Sequence, residues 1–219
     1  NNNSTQASSC VVRLVTRPKT NGSELSQLAK LVSGTCSDEV KVFGITHDSR
    51  SVQPGDLYVA LQGANSHGIE FVDEAIANGA VAVLSDQTVQ TTIPTFTHPQ
   101  PRSLIGPISS WLYAKPFESL TALGVTGTNG KTTTANLVKQ LWQLNSISSG
   151  LIGTLGVEIL DKQMVLKRTT PEADELQAIT AAMVEKKVLH LVMEVSSHAI
   201  DQGRIKSAKY KVAGFSNLT

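Results

Sequence analysis

The feature that most restricts this chain lies in its second half: Gly124-Val125-Thr126-Gly127-Thr128-Asn129-Gly130-Lys131-Thr132-Thr133-Thr134. An apolar run, Leu120 to Thr126, precedes it, and a helical pattern over Lys131 to Leu144 follows. A glycine-rich loop between strand and helix aims several backbone N–H groups at one anion. The helix start adds unpaired N–H groups and a partial positive charge. Lys131 can reach β- and γ-phosphates, and the Thr132 hydroxyl can ligate Mg²⁺. The predicted ATP-binding stretch is therefore Gly127, Thr128, Asn129, Gly130, Lys131, Thr132 and Thr133. The spacing departs from the general phosphate-loop form: five residues before Gly130 stands Val125, and the nearest glycines are Gly124 and Gly127.

The segments around the loop predict a parallel sheet. Gly150 to Gly153 reads as a strand. A helix is expected from about Pro171 to Lys187, with Leu176, Ile179 and Met183 inward, Thr170 as a cap, Pro171 in its first turn, and acids at its start. Leu189 to Val195 and Tyr210 to Phe215 read as strands. In the loop-bearing helix, Leu137, Val138, Leu141, Trp142 and Leu144 fall on one side. Strand and helix alternate, which implies crossover helices over parallel strands.

The first half reads as a smaller α/β unit. A helix is expected in Ser23 to Val32, strands at Val40 to Ile45 and Leu57 to Leu61, and a turn at Pro54-Gly55. Ile69 to Asn78 has helical spacing, with Phe71, Val72, Ala75 and Ile76 on one face, and ends at Gly79. Ala80 to Leu84 is a buried-strand run. Leu104, Ile108, Trp111 and Leu112 suggest a helix that Pro107 would disturb. The expected organisation is a loose leader over residues 1–20, an N-terminal unit over 21–115, and a phosphate-loop unit over 116–219, with Lys115-Pro116 at the boundary.

Composition removes several classes. Nineteen basic against eighteen acidic residues give a net charge of +1, which argues against a dedicated nucleic-acid or polybasic membrane binder. Two cysteines, Cys10 and Cys36, without a Cys-x-x-Cys, argue against a disulfide framework or a zinc ribbon and agree with a reducing cytoplasm. There is no apolar run long enough to cross a membrane. With 40% hydrophobic residues the chain can bury a core.

Three further blocks carry chemistry. The first is Thr46-His47-Asp48-Ser49-Arg50, with Pro54-Gly55-Asp56 and Gly63-Ala64-Asn65-Ser66-His67-Gly68 after it. Ser49 and nearby N–H groups can hold a uridine or pyrophosphate oxygen, and Arg50 offers charge to a pyrophosphate; Arg50 can equally pair with Asp48. Asp56 suits a turn-forming role. The second is Arg168-Thr169-Thr170-Pro171-Glu172. The third is Met193-Glu194-Val195-Ser196-Ser197-His198, with Arg204 beyond it, at the carboxyl end of an expected strand, where open α/β sheets bind ligands. His198 suits a hydrogen bond within that loop. His47, His67, His98 and His190 make no metal-spaced cluster.

Together these blocks resemble the Mur ligases, and the second and third resemble the branch of that family that adds the third amino acid to a UDP-muramoyl peptide. The resemblance implies an N-terminal UDP-binding α/β domain followed by the first part of a phosphate-loop parallel-sheet ATPase domain. It implies an ATP- and Mg²⁺-dependent ligase joining meso-diaminopimelate or L-lysine to UDP-N-acetylmuramoyl-L-alanyl-D-glutamate through an acyl phosphate, in peptidoglycan synthesis in the cytoplasm. Lys131 and Glu194 would be catalytic, with Thr132 and Glu194 on the metal. Ser49, Arg50, His67, Thr169, Thr170, Ser196 and Arg204 would bind substrate. Family members continue beyond the equivalent of Thr219, so this chain alone is expected to be inactive. Two alternatives stay open: another ligase of the superfamily, or a non-catalytic nucleotide- or UDP-sugar-binding module.

Overall fold

The computed structural model describes residues 17–160, 162–166 and 168–218. Most of the leader, with Cys10, lies outside the described residues. Its last part is anchored: Arg17 pairs with Asp56 and donates to the Pro54 carbonyl (2.8 Å), and the Thr20 hydroxyl donates to the Leu112 carbonyl (2.7 Å). Asp56 also accepts the Gln53 N–H (2.7 Å), so it both shapes the turn and receives the incoming chain.

The elements are β1 (Ser23–Glu24), α1 (Leu25–Leu31), β2 (Lys41–Val42), β3 (Gly44–Thr46), β4 (Asp56–Ala60), α2 (Val72–Ala77), β5 (Ala80–Ser85), β6 (Thr95–Thr97), α3 (Pro101–Leu112), β7 (Thr121–Thr126), α4 (Lys131–Leu144), β8 (Ser149–Gly153), β9 (Gly156–Ile159), β10 (Lys162–Met164), α5 (Ala173–Glu185), β11 (His190–Glu194), α6 (Ser197–Asp201) and β12 (Val212–Phe215). The α/β class and most element positions follow the sequence pattern.

Strands β3-β4-β5-β6 form a wholly parallel sheet. Its central strands β4 and β5 are buried on nearly every residue, which is why they read as near-continuous apolar runs, while the edge strand β6 is only half covered. The second sheet runs β10-β9-β8-β11-β7-β12, with β8, β11, β7 and β12 parallel and β9-β10 an antiparallel hairpin on its edge. The hairpin was absent from the sequence expectation.

Helix α5 joins the two halves. Leu176, Ile179 and Met183 enter the core of the second sheet, while Ala173 and Ala181 pack with Leu104, Ile108 and the first sheet's core. At about 25 cal/mol per Å² of apolar burial, a helix with two buried faces ties both cores together.

Several local expectations are corrected. Val40 to Ile45 is two strands broken at Phe43, whose N–H goes to the Gly55 carbonyl (2.8 Å); β2 pairs with β1, β3 with β4. The helix expected from Ile69 begins as a tight 3₁₀ turn over Gly68–Phe71, leaving Phe71 exposed. Pro107 does not break α3, which runs unbroken from Pro101 to Leu112 with the proline at a half-buried position. Trp111 is largely exposed. Helix α4 turns Ala135 and Lys139 inward, with Lys139 paired to Glu158 (2.9 Å), while Leu137, Leu141 and Leu144 are exposed. Thr170 does not cap α5: the N-cap is Glu172, and Pro171 precedes it.

Candidate active site

The site follows from strand order. Strand β11 lies between β7 and β8, in register Glu194↔Val125 and Met193↔Ile152. The carboxyl ends of β7, β11 and β8 therefore place the glycine loop, Glu194 and Gly153-Thr154 side by side, at the edge where ligands bind in open α/β sheets.

Glycines 127 and 130 both take positive φ, at 134° and 81°, a region that a Cβ disfavours. A Cβ on Gly127 would also strike Ser216 and Asn217. Asn217 braces the loop, its side-chain oxygen accepting the Asn129 N–H (2.9 Å) and its carbonyl the Thr128 N–H (3.1 Å). The first bond of α4 runs from the Thr134 N–H to the Gly130 carbonyl (2.9 Å). The N–H groups of Lys131, Thr132 and Thr133 precede it and form the donor end of the helix. The Lys131 ammonium donates to the carbonyls of Gly127 (2.6 Å) and Thr128 (3.2 Å), curling over the loop.

Glu194 is 1% exposed. One oxygen accepts the Thr132 hydroxyl (2.9 Å) and the Thr154 hydroxyl (3.0 Å); the other accepts the Thr154 N–H (2.9 Å). Among the described residues no cation pairs with it and no cluster of three His, Cys, Asp or Glu side chains exists. A buried carboxylate costs free energy unless a cation matches it. One carboxylate beside one hydroxyl and a phosphate loop is the donor set Mg²⁺ takes with a nucleotide, where phosphates and waters complete the shell. The residues thus suit a magnesium–nucleotide pair. Gly153 and Thr154 were missed from sequence. A Cβ on Gly153 would lie 2.2 Å from the Glu194 oxygen, and the only sequence signal was a Gly-Thr pair ending an apolar strand.

The second predicted group meets on the same edge. Thr169 is half-buried, its hydroxyl 3.2 Å from that of Thr154. Thr170 is 1% exposed; its hydroxyl donates to the Glu194 carbonyl (3.0 Å) and accepts the Ser196 N–H (3.1 Å). Its proton and one lone pair are thus spent within the protein, tying the strand end at Glu194 to the Ser196 loop. Ser196 caps α6 by accepting the Ala199 N–H (3.2 Å). Arg204 donates to the Thr170 carbonyl (3.2 Å), and its Nε lies 3.1 Å from Glu172, misaligned for a hydrogen bond and so purely ionic. Glu172, 6% exposed, also pairs with Arg102 (3.3 Å) and Arg168 (2.6 Å). Sequence reading took Glu172 only as a helix-end charge; Arg168 reaches it from four residues away, while Arg102 and Arg204 reach it only through the packing of α3 and of the segment after α6.

Of the first block, Ser49 and Arg50 line a cleft of about 1070 Å³ that Arg102, Arg168 and Glu172 share. The Ser49 hydroxyl donates to Glu74 and Arg50 forks onto Asp48 (2.9 Å twice). His67 is not among the cleft's lining residues. It is 8% exposed, its Nδ1 accepts the Ile69 N–H (3.1 Å), and its Nε2 therefore carries the proton donated to Asp86 (2.8 Å). With Glu70 returning to its own N–H it forms a capping box. Both ring nitrogens of His67 are thus spent within the protein, which gives it a structural role in this strand-end turn. His47 joins the first sheet to α5 through Asp174 (3.1 Å). Burial pulls its pKa down, but the Asp174 hydrogen bond and charge, with Glu172, outweigh this and hold it above the usual value.

The Mur ligase middle domain matches residues 125–219, and the Mur ligase family catalytic domain matches residues 41–107. The chain belongs to the Mur ligase family. It is 44% identical over 202 residues to the UDP-N-acetylmuramoyl-L-alanyl-D-glutamate--2,6-diaminopimelate ligase of Streptomyces avermitilis, covering 89% of this chain and 40% of that protein. To the ligase of the same name from Listeria innocua it is 37% identical over 196 residues, covering 90% and 40%. A solved structure of a ligase of that name superposes with a TM-score of 0.69 at 28% identity, covering 82% of this chain and 37% of the other. The chain thus spans 40% of the length of these curated relatives. Among the described residues no helix is long and apolar enough to cross a membrane.

Proposed function

We propose that the protein carrying this chain is an ATP-dependent amide ligase that adds the third amino acid to UDP-N-acetylmuramoyl-L-alanyl-D-glutamate in peptidoglycan synthesis. 2,6-Diaminopimelate, named for the relatives, is the favoured amine, with L-lysine the alternative. The observation that carries the reading is the Thr132–Glu194 contact (2.9 Å), beside a strip of Thr169, Ser196 and Arg204. Residues 21–115 would form the UDP-binding domain, and residues from 116 on the first part of the ATP-binding domain. Because the substrates are ATP and a UDP-linked precursor, the reaction belongs in the cytoplasm.

In this reading Lys131 and the α4 N–H groups hold the ATP phosphates. Thr132 and Glu194 hold Mg²⁺, which when bound neutralises phosphate charge. The glutamate side-chain carboxylate attacks the γ-phosphorus and expels ADP, giving an acyl phosphate. The incoming amine attacks the acyl carbon and expels phosphate. The protein's share is positioning and charge neutralisation. The Glu172–Arg204 pair holds the Thr170 loop, and Arg168 and Arg102 present charge to the cleft.

The test is amide formation by the complete gene product with ATP, Mg²⁺, the UDP-muramoyl dipeptide and either amine. Expected is one ADP and one phosphate per amide, with diaminopimelate preferred. Turnover only with a different UDP-muramoyl precursor would make it another ligase of the superfamily. Binding without turnover would make it a binding module.

A further inference from the structure

The hydroxyl of Thr154 sits between the Glu194 carboxylate beside the phosphate loop and the half-buried hydroxyl of Thr169. An ionised carboxylate offers about four acceptor positions. Three on Glu194 are filled: Thr132 and Thr154 hydroxyls on one oxygen and the Thr154 N–H on the other. One position is left, on the oxygen that faces Gly153. The carboxylate can lie there only because residue 153 lacks a side chain, since a Cβ would come within 2.2 Å of that oxygen.

A threonine hydroxyl has one proton to give. Thr154 spends it on Glu194. Its 3.2 Å contact with Thr169 is then a bond in which Thr169 donates. The proton of Thr169 points inward, and its oxygen offers only lone pairs outward. We infer that Thr154 is a positioning residue that leaves Glu194 one open acceptor position for the divalent cation and makes Thr169 an acceptor that recognises an N–H or O–H of the acceptor substrate, not its carboxylate. The second half of this statement rests on the ligase reading above; the first does not.

Groups that orient a metal-binding side chain typically alter metal affinity by about 10–100-fold when removed. The probe is Mn²⁺ in the presence of ADP, followed by electron paramagnetic resonance on the complete gene product. Thr154→Val keeps the N–H and the shape but loses the hydroxyl; Mn²⁺ binding is expected to weaken about tenfold. Thr154→Ser is expected to restore it. Thr154→Ala carries the same expectation as valine, should valine unfold the protein. Wild-type Mn²⁺ affinity in a folded valine or alanine variant overturns the proposal, as does failure of serine to restore it.

The substrate arm uses calorimetric binding of the UDP-muramoyl dipeptide. Thr154→Val and Thr169→Val should each weaken it, and the double variant should be no weaker than the worse single one, because both break one relay. Additive losses overturn the assignment of Thr169 as an inward donor. Absence of dipeptide binding in the wild type would defeat the ligase reading, while the Mn²⁺ measurement would still decide the role of Thr154.

Discussion

The phosphate-loop edge of the second sheet and the Ser49–His67 stretch of the first are both polar segments at strand ends, yet they are organised oppositely. In the first, Glu194 is buried with hydroxyl and N–H donors and no cation, and Lys131 rests on backbone carbonyls. In the second, each nominated side chain is already matched: Ser49 with Glu74, Arg50 with Asp48, His67 with Asp86 and the Ile69 N–H. An edge whose charges are matched only by a ligand is built for chemistry. A stretch whose side chains satisfy one another shapes a wall, and leaves recognition to the cleft it borders.

The largest test of this contrast is Lys131→Ala. Ligation by the complete gene product should fall by about 10²–10³-fold, the cost of one well-placed electrostatic contact, with an unchanged circular-dichroism spectrum. Near-normal ligation by a folded variant removes Lys131 from the site. Gly153→Ala is expected next: its methyl must displace the Glu194 carboxylate, so turnover should drop at least about tenfold, alongside a modest loss of stability from the disturbed hydrogen bonds on Glu194. A large loss of stability with intact specific activity would show Gly153 to be a packing residue only.

On the other side of the comparison, His67→Ala should lose about 1–2 kcal/mol of stability through the broken capping box, read from urea unfolding, with ADP affinity unchanged. Loss of substrate affinity without loss of stability would return His67 to the binding site. His47 gives a pH signature. Its folded pKa is raised above the unfolded value of 6.5, so its stabilising contribution is complete below that value. The contribution fades as pH rises through the folded value. The urea midpoint should fall over that interval, and His47→Gln should flatten the profile. Arg50→Ala should be the smallest effect, under about 0.5 kcal/mol for an exposed ion pair. A marked drop in UDP-precursor affinity in that variant would show that Arg50 leaves Asp48 when ligand enters.

Local sequence determined the glycine loop, the helix that starts at Lys131, the Pro54-Gly55 turn, and the inward row Leu176, Ile179 and Met183. Each depends on neighbours a few residues away: positive-φ glycines, a helix's first-turn donors, a 3.6-residue period. The family resemblance also nominated Glu194 and Thr132 as partners, and the fold brings them within 2.9 Å. What tertiary structure decided is which strand ends become neighbours. Nothing local says that β11 inserts between β7 and β8, and only that order brings Thr154 onto Glu194. Packing of α3 on α5 likewise brings Arg102 to Glu172, and the segment after α6 brings Arg204, beside the sequence-local partner Arg168. The inward side of α4 was settled the same way: of the expected apolar face Val138 and Trp142 pack on the sheet, but Leu137, Leu141 and Leu144 are exposed and the sheet takes Ala135 and the ion-paired Lys139 beside them. Periodicity shows that a helix has faces; which face is buried depends on the surface it meets.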